Sequence, residues 1–132
     1  MKYEHIIWDW NGTIVNDTEI CVHILNYLLR NANLTTINES FYKHNFFFPV
    51  KKFYESLGLA VSGDKYRDLS EEFIEMYRNL AKNIELQPNF LTTLEKLRIS
   101  GVELSILSAG KLSDICDFLI YHKLYDLSLI HI

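Results

Sequence analysis

Asp9 is the residue whose type and position most directly suggest chemistry. It follows the apolar run Ile6-Ile7-Trp8 and precedes the turn-prone pair Asn11-Gly12. Open α/β sheets bind ligands at the carboxyl ends of their strands, so a carboxylate at this position is directed into a crevice. Asn-Gly is also a strong hairpin signal, and taken alone this segment fits a simple turn as well.

A second apolar run ends in a similar way. Val102 to Leu107 is followed by Ser108, Ala109 and Gly110, which form a loop of small residues. A carboxylate, hydroxyl groups and loop amides at neighbouring strand ends can hold a phosphate group beside a nucleophile. The two strand ends together therefore predict a phosphate site in which Asp9 is the nucleophile.

The elements that must position these residues follow from the hydrophobic pattern. Tyr3 to Trp8 and Val102 to Leu107 are predicted to be buried strands. Residues 14–83 between them form an all-helical block, because apolar residues recur there at helical spacing. One further helix precedes the second strand and another follows Ser108. This order predicts an α/β fold with a helical insertion after the first strand.

Composition excludes several classes of protein. Of the 132 residues, 48% are hydrophobic and 23% are charged, which is typical of a soluble globular chain. A formal net charge of −4 gives no basic face for nucleic acid, so no nucleic-acid partner is expected. No apolar stretch approaches the roughly 20 residues that span a bilayer, and no signal peptide is recognisable. We expect a reduced, cytoplasmic protein without a membrane partner.

The motifs resemble those of a known superfamily. Ile6 to Thr13 is similar to the first motif of the haloacid-dehalogenase-like (HAD) hydrolases, and Leu104 to Gly110 is similar to the second. Within the superfamily the chain most resembles phosphoglycolate-phosphatase-like members. The resemblance implies a partial Rossmann-like HAD core with a parallel sheet, formed by residues 1–13 and 84–126. The helical cap would be residues 14–83.

The resemblance also implies roles for individual residues. Asp9 would attack phosphorus in a small phosphorylated metabolite such as phosphoglycolate, forming an aspartyl-phosphate, and Mg²⁺ would offset the charge. Asp9 and the main-chain carbonyl of Asn11 would be metal ligands. Thr13 would shape the loop, and Ser108 with Ala109 and Gly110 would bind the phosphoryl group. The alternative for Ser108 is a helix N-cap.

Asn11 departs from the family pattern. It stands where the family has a second acid, which protonates the leaving oxygen and later activates water; an amide can do neither. We expect acid catalysis to be reduced by about 10²–10⁴-fold. Two alternatives follow: a Mg²⁺-dependent phosphatase, or a non-catalytic HAD-like protein that retains phosphate or ligand binding.

Two other segments have more than one interpretation. Asn16 and Asp17 lie where the chain enters the cap, so they could border the substrate, but Asp17 is at least as well placed to cap a helix. Phe46, Phe47 and Phe48 could line a pocket under the cap, although an aromatic run is more often part of a core.

The carboxyl-terminal residues are expected to be foreign. Residues 127–132 match the peptide encoded by the end of a common transposase-based sequencing adapter, and the alternative is a natural third strand. The family's phosphate-binding Lys and its acidic metal-binding motif are not found before this tail. We therefore expect the 132 residues alone to be an inactive fragment, and the sequence does not predict the oligomeric state.

Overall fold

The structure is a computed structural model that describes residues 2–82, 84–125 and 129–131. Within them, three strands and six helices follow one another in the order β1 (His5–Trp8), α1 (Thr18–Asn31), α2 (Glu39–Asn45), α3 (Val50–Ser56), α4 (Lys65–Ala81), α5 (Phe90–Ile99), β2 (Glu103–Ile106), α6 (Leu112–Tyr121) and β3 (Leu129–His131). Among the described helices none is both long and apolar enough to cross a membrane.

The strands form one parallel sheet in the order β1-β2-β3. Trp8 pairs with Ile106, and one residue further the Leu107 amide donates to the Trp8 carbonyl at 2.9 Å. Parallel neighbours require a crossover connection, here the helical block and α5 between β1 and β2. The predicted α/β class with a parallel sheet is confirmed.

The third strand lies in the segment predicted to be adapter-derived. The backbone of Leu129–His131 pairs with β2, with Leu104 opposite Leu129. The other three residues of that segment, Leu127, Ser128 and Ile132, lie outside the described residues. Backbone pairing is open to almost any short apolar segment, so the foreign origin of residues 127–132 stays a prediction.

The two sequence-predicted strands differ in burial. Leu104, Ser105 and Ile106 of β2 are all buried, as expected. None of the four residues of β1 is buried, and Ile7 is 54% exposed, so the prediction of a buried first strand is wrong. The physical reason is that, in the described part of the chain, β1 pairs on one side only. Trp8 packs edge-to-face against Phe90, with 5.3 Å between the ring centroids.

The chain divides into two compact units, Met1–Asp17 with Lys82–Ile132, and Thr18–Ala81. The sequence analysis set the boundaries at residues 14 and 83. Residues 14–17 group with the first unit because they pair with the returning chain. The Asn16 amide donates to the Glu85 carbonyl and the Gln87 amide to the Ile14 carbonyl, both at 2.8 Å. We call these two paired segments, 14–17 and 84–87, the linker ribbon.

The helical unit has an aromatic core around Phe53, which is 1% exposed. The ring of Phe46 packs edge-to-face on that of Phe53 at 5.2 Å, which places Phe46 in this core. Phe47 and Phe48 are 43% and 70% exposed. Of the two interpretations of this aromatic run, the core interpretation therefore describes Phe46.

Burial of Tyr54 in this core predicts alkaline sensitivity. Desolvation raises the pKa of its phenol strongly, and the nearby Tyr66 and Cys21 add to the shift. Because the folded pKa lies above the unfolded value of about 10, stability is full below pH 10 and is lost as pH rises further, by up to about 1.4 kcal/mol per pH unit. Urea unfolding followed by circular dichroism at pH 8 and near pH 11 measures the loss. We expect Tyr54→Phe to reduce it, whereas Tyr27→Phe, at a 38% exposed position of α1, leaves it unchanged. Equal losses in both variants would contradict this assignment.

Candidate active site

The parallel register brings the two predicted strand ends together. Asp9 directly follows Trp8, and Ser108 lies two residues beyond Ile106, the partner of Trp8. Asp9 is exposed and Ser108 is half-buried. Since β1 and β2 are hydrogen-bonded neighbours of the same unit, the nucleophile and phosphate-binding positions are adjacent at the carboxyl edge of the sheet.

A tight loop follows Asp9 and presents its carboxylate. The Trp10 carbonyl accepts hydrogen bonds from the amides of Thr13, Ile14 and Val15, at 3.0–3.2 Å, which turns the chain back sharply. Gly12 has φ +72°, a left-handed conformation that glycine adopts without steric cost. The turn brings the Thr13 hydroxyl to the Asp9 carboxylate, where it donates to Oδ2 at 3.2 Å. Thr13 thus orients the group predicted to be the nucleophile.

The second loop is organised by Ser108. Its Oγ accepts a hydrogen bond from the Gly110 amide at 3.0 Å, which closes a small turn around Ala109. A Cβ atom at Gly110 would lie 3.2 Å from that Oγ, so the turn is suited to glycine. The N-cap of α6 is Lys111, not Ser108, so the alternative role of Ser108 as that helix's cap is not what the structure shows. A hydroxyl that accepts one hydrogen bond still has a proton to donate.

Asn11 and Asp17 are joined by a short hydrogen bond. The Nδ2 of Asn11 donates to the Oδ2 of Asp17 at 2.6 Å, and the Gly12 amide donates to Oδ1 at 2.8 Å. Asp17 is 1% exposed. These contacts do not decide between the two interpretations of Asp17, bordering the substrate or capping a helix; they show that the carboxylate holds the loop that carries Asn11.

Gln87 is a site neighbour that the sequence analysis missed. Its Nε2 donates to the Gly12 carbonyl at 3.0 Å, across 75 residues of sequence. Gly12 is therefore held at both polar groups, its amide by Asp17 and its carbonyl by Gln87. Nothing in the residue types around Gln87 signals this contact, which arises only because the linker ribbon returns the chain beside the loop.

The described residues supply only part of a magnesium site. Mg²⁺ prefers about six oxygen ligands in octahedral geometry. Asp9 contributes a carboxylate and Asn11 a main-chain carbonyl, but the described part of the chain contains no cluster of three or more His, Cys, Asp or Glu side chains able to hold a metal. Two oxygens do not complete the coordination, so the residues present do not by themselves fit the ion.

Comparison with known proteins decides the family. The profile of the haloacid dehalogenase-like hydrolases matches residues 6–128, which include both strand ends and the helical unit. The chain belongs to the haloacid dehalogenase-like hydrolase family. Among curated protein sequences none matches. The resemblance of the two motifs to HAD hydrolases is thereby confirmed, and Asp9 and Ser108 lie in the matched region.

Solved structures share the HAD fold at low sequence identity. A Lactobacillus plantarum protein with the provisional name phosphoglycolate phosphatase has a TM-score of 0.81 at 17% identity, covering 100% of this chain and 62% of that one. For a predicted phosphoglycolate phosphatase from Haemophilus somnus 129PT, the TM-score is 0.75 at 20% identity, with coverages of 99% and 63%. Protein Tyrosine Kinase A of Mycobacterium tuberculosis is also similar, with a TM-score of 0.80, 14% identity, and coverages of 99% and 60%.

These comparisons have two consequences for the HAD chain. It spans less than two thirds of the length of each of these structures. The names of the three proteins also differ in activity although the fold is shared, and a fold alone does not assign a reaction. The reaction has to be inferred from the residues of the site.

Proposed function

We propose that this protein is a phosphatase that removes a phosphoryl group from a small phosphorylated metabolite through an aspartyl-phosphate intermediate. The observation that carries the proposal is the exposed Asp9 at the carboxyl end of β1, oriented by the Thr13 hydroxyl at 3.2 Å and adjacent in register to the Ser108 loop. An accessible carboxylate beside hydroxyl and amide donors has the groups that nucleophilic phosphoryl transfer needs.

Asp9, Thr13 and Ser108 have different roles in the proposed phosphoryl transfer. A carboxylate oxygen of Asp9 attacks phosphorus, a bond forms between that oxygen and phosphorus, and the bond to the leaving oxygen breaks with its electron pair. Thr13 keeps the carboxylate in position, and the Ser108 hydroxyl donates to an oxygen of the transferring group. Water then hydrolyses the aspartyl-phosphate, which releases inorganic phosphate and restores the carboxylate.

Magnesium is part of the proposal as a cofactor. The Asp9 carboxylate and the Asn11 main-chain carbonyl are the ligands we assign to this chain. When bound, the ion would offset the negative charges of the nucleophile and the phosphoryl group. That the 132 residues by themselves are inactive stays a prediction.

The substrate class follows from the family and its neighbours. Two similar structures are named as phosphoglycolate phosphatases, so phosphoglycolate is the first compound to test. The second candidate function is binding of a phosphorylated ligand without turnover. Asn11 favours it, because an amide stands where the family has its second acid. A cytoplasmic location stays a prediction.

The test is phosphate release by the product of the complete reading frame that contains these residues, called the gene product below. Phosphoglycolate and p-nitrophenyl phosphate are offered with Mg²⁺ and with EDTA. We expect release that depends on the metal and stops with the chelator. Binding of phosphoglycolate by calorimetry without any release would favour the non-catalytic alternative.

Gly12 offers a further prediction, because Ala there must adopt the left-handed conformation at a cost of about 1–2 kcal/mol in unfolding free energy. Gly101 is a matched control: its φ is also +72°, and apart from its neighbours in the chain no described atom lies within 4 Å of the position of a Cβ. We expect Gly12→Ala and Gly101→Ala to lose similar stability in urea unfolding, and only Gly12→Ala to slow phosphate release by the gene product. Equal activity of the two variants would show that the loop geometry does not matter.

A further inference from the structure

The hydrogen bond between Asn11 and Asp17 fixes which way the Asn11 amide is turned. A carboxylate only accepts, so the nitrogen of Asn11 must face Asp17, and the carbonyl oxygen of the same planar group points the other way. The second carboxylate oxygen accepts from the Gly12 amide. Asp17 therefore sets both the rotation of the side chain and the position of the peptide that follows it.

We propose that Asn11 and Asp17 work as one pair in which Asp17 is a positioning residue, and that this pair adapts the site to phosphates whose leaving group departs without a proton, namely acyl and aryl phosphates. The proposal rests on the proposed phosphatase function. The carboxyl group that the pair contains is at position 17, where it is 1% exposed and bonded to two donors. A general acid must lie within hydrogen-bond distance of the leaving oxygen that it protonates. The buried carboxyl of Asp17 is not accessible to a leaving group in this way, so it does not act as the general acid.

The pair also explains why an acid cannot simply be restored at position 11. In Asn11→Asp a second carboxyl would lie where an amide now donates across 2.6 Å. Neither carboxylate has an N–H group to donate to the other, so the hydrogen bond that positions residue 11 is lost. The new acid would have no partner that directs it at the substrate.

Exchanging both residues preserves both hydrogen bonds; donor and acceptor change places only in the bond between residues 11 and 17. In the double variant Asn11→Asp with Asp17→Asn, the amide introduced at position 17 can donate through its nitrogen to the carboxylate introduced at position 11. The oxygen of that amide can accept from the Gly12 amide. In Asp17→Asn alone, the side-chain oxygen again accepts from Gly12, so the nitrogen faces Asn11 and forces the amide of Asn11 to rotate. Comparing the unaltered protein, the two single variants and the double variant therefore separates the effect of an acid at position 11 from the effect of the residue that positions it.

The experiment compares the gene product, the two single variants and the double variant on acetyl phosphate, p-nitrophenyl phosphate and phosphoglycolate. We expect the unaltered protein to prefer the first two compounds. We expect kcat/KM for phosphoglycolate, which reports transfer of the phosphoryl group to Asp9, to rise by about 10²-fold in the double variant and by far less in Asn11→Asp. We expect a much smaller rise of kcat/KM for acetyl phosphate, because its leaving group needs no proton, and the hydrolysis step that all three compounds share does not enter kcat/KM. An equal rise in Asn11→Asp and the double variant, or no preference in the unaltered protein, would overturn the proposal.

Melting temperatures of the same four proteins test the pairing without turnover. We expect Asn11→Asp to lower Tm at pH 7 and the added Asp17→Asn to recover most of the loss, because the second change removes the carboxylate repulsion. Additive effects on Tm would refute the pair. If no protein releases phosphate from any compound, the phosphatase function and the substrate class both fail, and a non-additive Tm cycle still supports the pairing.

Discussion

We expect the Asp9→Asn variant of the gene product to release phosphate at least about 10⁴-fold more slowly than the unaltered protein, the scale of loss seen when a nucleophile is removed. An amide oxygen cannot form the acyl-phosphate bond, so the covalent route is closed. Asp9 is exposed, and its carboxylate accepts a 3.2 Å hydrogen bond from Thr13. Because exposed substitutions usually change stability by only about 0.5 kcal/mol, the loss would report chemistry rather than unfolding.

Glu103→Gln is the matched control for this variant. Glu103 is also exposed and belongs to the same sheet, but it lies at the amino end of β2, away from the strand ends that carry the site. We expect it to retain full activity. Brief incubation with substrate followed by acid quenching and mass spectrometry should place a phosphoryl group on the peptide that contains Asp9. A labelled peptide from another region, or an active Asp9→Asn variant, would refute the nucleophile.

The part of the site that could be predicted from sequence is the part that local patterns encode. Asp9 and Ser108 each follow an apolar run, and parallel strands place such ends side by side whatever lies between them. The length of the inserted helical block did not matter for this inference. Thr13 was expected to shape the loop, and its hydrogen bond to Asp9 shows how a residue four positions away can do so.

The rest could not be predicted because it depends on contacts between distant segments. Gln87 reaches Gly12 only through pairing of the linker ribbon, and no feature of a single sequence specifies which residues of two linkers meet. The exposure of β1 has a similar origin. Its residue types are those of a buried strand, but burial depends on what covers the strand and not on the strand itself.

Asp17 illustrates how a local role can hide a tertiary one. A carboxylate just before a helix is the usual N-cap, so sequence reasoning stops at that role. In the structure the same side chain bonds Gly12 and Asn11, five and six residues earlier. The amide at position 11, which looked like a lost acid when considered alone, is chemically matched to this carboxylate. Substitutions at a catalytic position are therefore better interpreted together with their hydrogen-bond partners.

The largest stability effect is expected in the helical unit, where Phe53→Ala should lower the unfolding free energy by about 3–5 kcal/mol. Phe53 is 1% exposed, and three aromatic rings contact it edge-on, those of Tyr42, Phe46 and Phe47, with centroids 5.2–5.9 Å away. Removing the ring loses these contacts and leaves a cavity that the surrounding rings fill only in part.

Phe48→Ala is the control for this substitution, since Phe48 belongs to the same aromatic run but is 70% exposed, and we expect a change of no more than about 0.5 kcal/mol. Urea unfolding can be followed separately in the two units. Trp8 and Trp10 both lie in the first unit, so their fluorescence reports on that unit, whereas α1 to α4 lie in the helical unit and contribute strongly to far-ultraviolet circular dichroism. We expect Phe53→Ala to lower the urea midpoint mainly in the dichroism signal. A midpoint within error of Phe48→Ala would show that this aromatic cluster is not the core that holds the helices together.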